Sequence, residues 1–69
     1  MVKAAIISWE NGETRLAILK SQLRHNFAGF VQIYAGAVLE VETLDGVIEV
    51  YIKSFIERGD TVICEFNET

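Results

Sequence analysis

Hydrophobic and polar residues alternate without a break from Val31 to Phe66. Because successive side chains of a β-strand point to opposite faces, this period of two predicts a sheet with one register and two distinct faces. One face is nearly all aliphatic, and the other mixes apolar, aromatic and acidic residues. We expect the first strand of this region to be long and to bend at Gly36, because glycine in a strand often marks a bend.

Asp45-Gly46 is the strongest turn signal in the alternating region. It is typical of a two-residue type I′ hairpin loop, in which both central residues need positive φ. This loop would place Val41 opposite Val50 on the aliphatic face. On the other face it would place Glu42 directly opposite Glu49.

A second turn is expected at Arg58-Gly59-Asp60. A three-residue loop there keeps the aliphatic residues of both strands on one face, with Ile56 opposite Val62 and Ile52 opposite Phe66. A loop of two residues would turn a whole strand inside out, so the parity of the side chains favours the longer loop.

The first part of the chain predicts a strand and then a helix. Val2 to Trp9 is rich in β-branched residues and ends at the turn signal Glu10-Asn11-Gly12. From Glu13 to Phe27, apolar residues recur at the three- and four-residue steps of one helical face; they are Leu16, Leu19, Leu23 and Phe27, and Phe30 extends the series. The competing interpretation is a strand over Arg15 to Lys20, because a short apolar run does not fix its own period.

The predicted fold is therefore α+β, with the order strand, helix and three-stranded antiparallel meander (β-α-β-β-β) in one small domain, 1–69. The helix would cover the aliphatic face. A chain of 69 residues in which 51% are apolar has little interior to hide them. Self-association, with a dimer favoured, is the expected way to cover the remaining apolar surface.

Residues 38–55, Val-Leu-Glu-Val-Glu-Thr-Leu-Asp-Gly-Val-Ile-Glu-Val-Tyr-Ile-Lys-Ser-Phe, resemble the first half of an Sm-like small barrel. In that family a strand, a Leu-x-Asp/Asn-Gly turn and a second strand follow in the same order. The resemblance implies an alternative fold, an all-β small SH3/Sm-like barrel. It also implies an alternative function, nucleic-acid binding through a local basic cluster, for which the chain offers Lys20, Arg24, His25 and Arg58.

Charge and cysteine content narrow the classes of function. Six Lys and Arg against ten Asp and Glu give a net charge of −4, which opposes nonspecific binding to phosphate chains. The single Cys64 rules out an internal disulfide, and the sequence contains neither a signal-peptide pattern nor a long apolar span. We therefore expect a cytoplasmic protein with no membrane contact.

Catalytic and metal signatures are absent from the sequence. Cys64 lies on the aliphatic face, which is typical of a buried inert thiol, and no local motif joins it to His25. One Cys and one His do not make a zinc set, and the five glycines stand singly. We expect no cofactor, no metal and no enzymatic activity.

The mixed sheet face carries the functional hypothesis. Its apolar residues are typical of a protein interface; they are Phe30, Tyr34, Val38, Tyr51, Phe55 and Ile63. An acidic patch of Glu40, Glu42 and Glu49 shares that face. The predicted function is a small non-enzymatic, homo-oligomeric module that binds a protein partner through this acidic and aromatic face, with inhibition by imitation of nucleic acid as one form of it.

Overall fold

A computed structural model describes residues 1–23 and 33–69. The described chain is nearly all sheet. The six strands are β1 (Val2–Lys3), β2 (Ala5–Ser8), β3 (Thr14–Leu19), β4 (Val38–Thr43), β5 (Gly46–Arg58) and β6 (Thr61–Glu68). Two short 3₁₀ segments, Glu10–Gly12 and Lys20–Leu23, follow β2 and β3. The predicted α+β class is therefore wrong.

The expected helix over 13–27 is a strand, β3, followed by one 3₁₀ turn, as far as Leu23. Residues 24–27 lie outside the described chain. In β3, Leu16 and Ile18 are fully buried, whereas Leu19 is 53% exposed. The buried residues Leu16 and Ile18 follow the period of two of a strand. The helical interpretation was wrong because Leu16, Leu19 and Leu23 also happen to match the spacing of a helix.

The strands form one sheet in the order β1-β4-β5-β6-β3-β2. All neighbours are antiparallel except β1 and β4, which run parallel. The predicted first strand, 2–9, is split at Ala4 into β1 and β2. These two strands lie at opposite edges of the sheet, although only one residue connects them. This connection makes the sheet curl, and the result is a half-barrel.

The core fills the concave side of the half-barrel. Strand residues and two residues from the connecting segments are buried there, and the cluster comprises Val2, Leu16, Ile18, Leu23, Ala37, Val41, Val50, Ile52, Val62 and Cys64. Most of these belong to the predicted aliphatic face. Burial of a large aliphatic side chain is worth about 1.5–3 kcal/mol, so this cluster stabilises the curl in a chain without a covering helix among its described residues.

The hairpin between β4 and β5 forms at the predicted place with a different register. Its loop residues are Leu44 and Asp45, and Glu40 rather than Glu42 lies opposite Glu49. Neither loop residue has positive φ, whereas Gly46 has a φ of 115°. The positive φ therefore belongs to Gly46, the first residue of β5 after the loop, and the type I′ prediction is wrong. The shift of two residues leaves both faces unchanged.

The hairpin between β5 and β6 has the two-residue loop Gly59-Asp60, with Arg58 opposite Thr61. The predicted three-residue loop is wrong, although Ile52 does pair with Phe66. Both statements hold because the register shifts between Ile52 and Ser54, so one extra residue is inserted at Lys53.

The bulge at Lys53 exchanges the two faces of β5 beyond it. Phe55 lies opposite Cys64 of the core face, and Ile56 lies opposite Ile63 on the convex face. The expected aliphatic-face pair Ile56 and Val62 therefore does not form.

The long first strand of the meander is also shorter than predicted. Its described part begins at Val38, after a turn in which the Ala37 N–H donates to the Tyr34 carbonyl at 3.0 Å. Gly36 lies in this turn with a φ of 96°. Its N–H donates to the Ile52 carbonyl at 2.8 Å, so the bonding to β5 continues into this turn, and Gly36 does not bend a continuous strand.

Leucine-to-alanine substitutions at positions 16 and 19 separate the strand from the helix. In a helix both side chains would be buried on one face. In β3 only Leu16 is buried, so Leu16→Ala is expected to lower the free energy of unfolding by about 2–5 kcal/mol, and Leu19→Ala by well under half of that loss. Chemical denaturation of the two variants measures this difference, and equal losses would contradict the strand assignment.

Candidate protein-interaction surface

The convex side of the β4–β5 hairpin carries alternating apolar and acidic pairs. Val38 lies opposite Tyr51, Glu40 opposite Glu49, and Glu42 opposite Val47. Tyr34 is exposed in the turn that leads into β4, and the Tyr51 hydroxyl lies beside that turn, about 4.0 Å from the Cβ position of Gly36. We call this surface, made of Tyr34, Val38, Glu40, Glu42, Glu49 and Tyr51, the acidic-aromatic face.

The apolar residues of the acidic-aromatic face are open to solvent. Tyr34 is 58% exposed, Val38 54% and Tyr51 41%. Apolar surface that stays in water adds no burial free energy to the fold. Exposed aromatic side chains are typical of a surface that contacts another molecule.

Of the other three predicted interface residues, the structure places Phe55 and Ile63 away from this face. Phe55 lies on the core side of the sheet beyond the bulge at Lys53, at an exposed position. Ile63 is on the convex side, but it is only 6% exposed. It lies between its two register partners, Ile56 in β5 and Ala17 in β3. Phe30 lies outside the described residues.

The three predicted acidic residues do share one surface, with a different closest pair. Glu40 and Glu49 oppose each other across the hairpin, a like-charge arrangement that destabilises a sheet. Glu42 lies between Val47 and Lys3, its register partner in β1. Within the described chain, no ion pair closer than 4.0 Å joins any of these carboxylates to a cation.

The acidic patch does not have the geometry of a metal site. In the described ranges no group of three or more His, Cys, Asp or Glu side chains could hold a metal ion. The carboxylate of Glu49 accepts a hydrogen bond from the Thr69 hydroxyl at 2.6 Å. The patch therefore presents solvated negative charge along the hairpin.

The predicted basic cluster is not assembled within the described chain. The Lys20 ammonium lies 2.8 Å from the Glu57 carboxylate, and this hydrogen bond and charge lower the pKa of Glu57. Arg58 lies over the Trp9 ring, 5.2 Å from its centroid. Because Glu57 and Arg58 are consecutive in a strand, these two contacts fall on opposite faces. Arg24 and His25 lie outside the described residues.

A second convex cluster was missed by the sequence analysis. Trp9 stacks with Arg58, and Arg15 forms ion pairs with Glu13 and, at 3.3 Å, with Glu65. Trp9, Arg15, Glu65 and Ile63 are among the residues that line a small cleft of about 190 Å³. Because Glu13 and Glu65 neutralise the Arg15 guanidinium, the described lining of this cleft offers no unpaired cation to an anionic ligand. The signal available in the sequence was the lone Trp9 at the end of a β-branched run.

Cys64 is a free cysteine buried in the core, as its place in the alternation predicts. Burial raises the pKa of the Cys64 thiol from 9.0 to about 11. Because the thiolate is the reactive form, this environment suppresses nucleophilic chemistry at neutral pH.

The raised pKa of Cys64 predicts a slow reaction with a disulfide reagent at pH 8. With its pKa raised from 9.0 to about 11, the Cys64 thiol has a thiolate fraction roughly a hundredfold lower at pH 8, and burial slows access of the reagent further. Absorbance at 412 nm after addition of Ellman's reagent is expected to rise slowly for the native protein and quickly in guanidinium chloride. Equal rates in the two states would contradict a buried thiol.

The like-charge pair predicts that Glu40→Gln stabilises the protein. Removing one carboxylate relieves repulsion across the hairpin, and we expect a gain of about 0.2–1 kcal/mol in the free energy of unfolding at low salt. Glu42→Gln is the matched control, because Glu42 faces Val47 and has Lys3 beside it, and no gain is expected. A loss of stability in Glu40→Gln, measured by chemical denaturation, would show that the carboxylate has a stabilising partner.

Comparison with models of known protein families, with curated proteins and with solved structures finds no match to this chain. Among the described residues, no helix has the length and hydropathy needed to cross a lipid bilayer.

Proposed function

We propose that this protein is a small, non-enzymatic interaction module that binds a basic protein partner through the acidic-aromatic face. The proposal rests on one observation: exposed Tyr34, Val38 and Tyr51 lie beside carboxylates that form no ion pair within the described chain, on the β4–β5 hairpin and the turn before it. Both halves of this combination cost stability in the free protein. A partner with apolar and cationic groups would relieve both costs together.

The two kinds of residue would act on different steps of binding. Tyrosines at the centre of an interface bury large area with little loss of side-chain freedom, so they would slow dissociation. The carboxylates lie along the same strands and would attract a basic partner over about one Debye length, so they would speed association.

The charge of this surface argues against a nucleic acid as the partner. Tyr34 and Tyr51 could stack with bases, but Glu40 and Glu49 beside them repel phosphates. Lys20 and Arg58 are already engaged by Glu57 and Trp9. A basic protein that itself binds nucleic acid fits this surface better, and the module would then act as its inhibitor.

Self-association, with a dimer favoured, and a cytoplasmic setting are part of the same proposal. The support is the large exposed apolar area on both the hairpin and the edges of a 69-residue chain, together with one cysteine that is free.

The proposal is tested by affinity capture followed by binding kinetics. The immobilised wild-type protein should retain a basic protein from lysate, and the purified binder is then measured by interferometry at several salt concentrations. The triple variant Glu40→Gln, Glu42→Gln, Glu49→Gln is expected to lower the association rate at low salt about tenfold or more and to flatten its salt dependence. Tyr51→Ala is expected to raise the dissociation rate instead.

The matched control removes the same number of charges elsewhere. Glu10→Gln, Asp60→Asn and Glu68→Gln lie outside the acidic-aromatic face and change the net charge by the same amount. If this control slowed association as much as the face variant, net charge alone would account for binding. Unchanged binding by the triple face variant would refute the proposed surface.

A further inference from the structure

The strand β2 has a partner only on its β3 side within the described chain. The Trp9 N–H donates to the Glu13 carbonyl at 2.7 Å, which fixes the phase of the antiparallel ladder. Hydrogen-bonded pairs alternate along such a ladder, so Ile7 and Ala5 also bond to β3. The N–H and C=O groups of Ile6 and Ser8 therefore point away from the sheet.

The ladder on the other side of β3 gives the same phase independently. The Lys20 N–H donates to the Asp60 carbonyl at 2.8 Å, which extends the β3–β6 ladder by one pair. With alternation, Leu16 and Ile18 bond to β6, and Arg15 and Ala17 are left to bond to β2. Ile6 and Ser8 thus form an open edge of two donors and two acceptors.

This edge has none of the usual protection against strand addition. Natural edges are blunted by charged side chains, proline or bulges, whereas residues 4–9 carry no charge and no proline and pair with β3 in continuous register. Ile6 is 45% exposed. The opposite edge differs, because β1 is two residues long and the Lys3 N–H donates to the Gln22 side chain at 3.1 Å.

We infer that two copies of this chain pair antiparallel through β2, with Ile7 facing the partner's Ile7. This inference locates the contact for the self-association in the proposed function and rests on that part of it. In this register Ile6 and the partner's Ser8 exchange two hydrogen bonds, and the symmetric pair exchanges two more. All the outward groups of Ile6 and Ser8 in both copies are then satisfied.

A register centred on Ile6 satisfies fewer groups. It would require Ala4 to bond with the partner's Ser8, but the Ala4 N–H already donates to the Glu42 carbonyl at 3.0 Å. The register centred on Ile7 also places Trp9 opposite the partner's Ala5, a large side chain against a small one. Of these two symmetric registers, the one centred on Ile7 therefore satisfies more backbone groups.

Charge decides between this edge and the acidic-aromatic face as the contact between copies. Each copy has a net charge of −4, and pairing through the face would bring Glu40 and Glu49 of both copies together. The uncharged stretch 4–9 allows two copies to approach without like charges in contact. The acidic-aromatic face then stays open for the basic partner.

A cysteine cross-link tests the register directly. Residues facing each other in a non-hydrogen-bonded antiparallel pair have Cα atoms about 4.5 Å apart, within the range of a disulfide. Ile7→Cys in a Cys64→Ala background is expected to form a covalent dimer under mild oxidation. Ala5→Cys in the same background is the control, because the two copies of residue 5 would lie roughly 13 Å apart along the strand and should not cross-link. Equal cross-linking of both variants, or none of Ile7→Cys, would overturn the register.

Amide exchange of the unmodified protein provides a readout that does not depend on a variant. As concentration rises through the dimer transition seen by light scattering, exchange of the Ile6 and Ser8 amides should slow at least tenfold, whereas the Ile7 amide should be protected throughout. A monomer at all concentrations, or an oligomer in which the Ile6 and Ser8 amides stay unprotected, overturns the inference. Protection that appears only when the captured partner binds would assign the edge to a foreign strand and overturn self-pairing.

One pair of variants distinguishes failure of the β2 pairing from failure of the proposed partner binding. Ser8→Lys places a charge in the pairing edge and should convert the dimer to a monomer while leaving the salt-dependent association with the captured partner intact. Ser54→Lys, also an exposed strand position, should remain dimeric. Loss of the dimer in Ser54→Lys with retention in Ser8→Lys would move the contact away from β2.

Discussion

The half-barrel depends on the bulge at Lys53, a single extra residue in the longest strand. Before the bulge, β5 pairs with β4 and with the end of β6; after it, β5 pairs with β6 alone in a register shifted by one. Bulges increase local twist and bend the strand, so the sheet can turn from one half to the other at this point. The pairing of Ile52 with Phe66 and the two-residue turn Gly59-Asp60 are compatible only because this residue is inserted.

The sequence predicted the two hairpins and the identity of the core face before the bulge, because parity depends only on alternation. It did not predict the register of either hairpin. The sequence Asp45-Gly46 predicts Gly46 as a loop residue, but a glycine one position after a turn has the same sequence signature. The bulge itself left no signal, since Lys53-Ser54 contains no glycine. The helix was wrong because Leu16 and Leu19 satisfy a helical spacing, and only tertiary pairing with β6 decides against it.

The candidate surface was predictable in part for the same reason. Val38, Glu40, Glu42, Glu49 and Tyr51 lie before the bulge, so parity places them together on the convex side. Phe55 lies after the bulge and moves to the other face, and Ile63 is covered by neighbouring strands. The concave side therefore holds the core, and the convex side of the β4–β5 hairpin, with the turn before it, exposes two tyrosines beside carboxylates that form no ion pair among the described residues.

The single residue between β1 and β2 also limits how large an assembly can become. Ala4 holds the two ends of the sheet within one peptide unit, and β1 at its own end is too short to accept an added strand. A sheet with two open edges can add copies head to tail without limit and grow into a filament, whereas a contact that uses the same edge of both molecules is complete after one step. Among the described strands β2 has the open edge that is long enough for pairing, and the contact that we propose there would be complete after two copies.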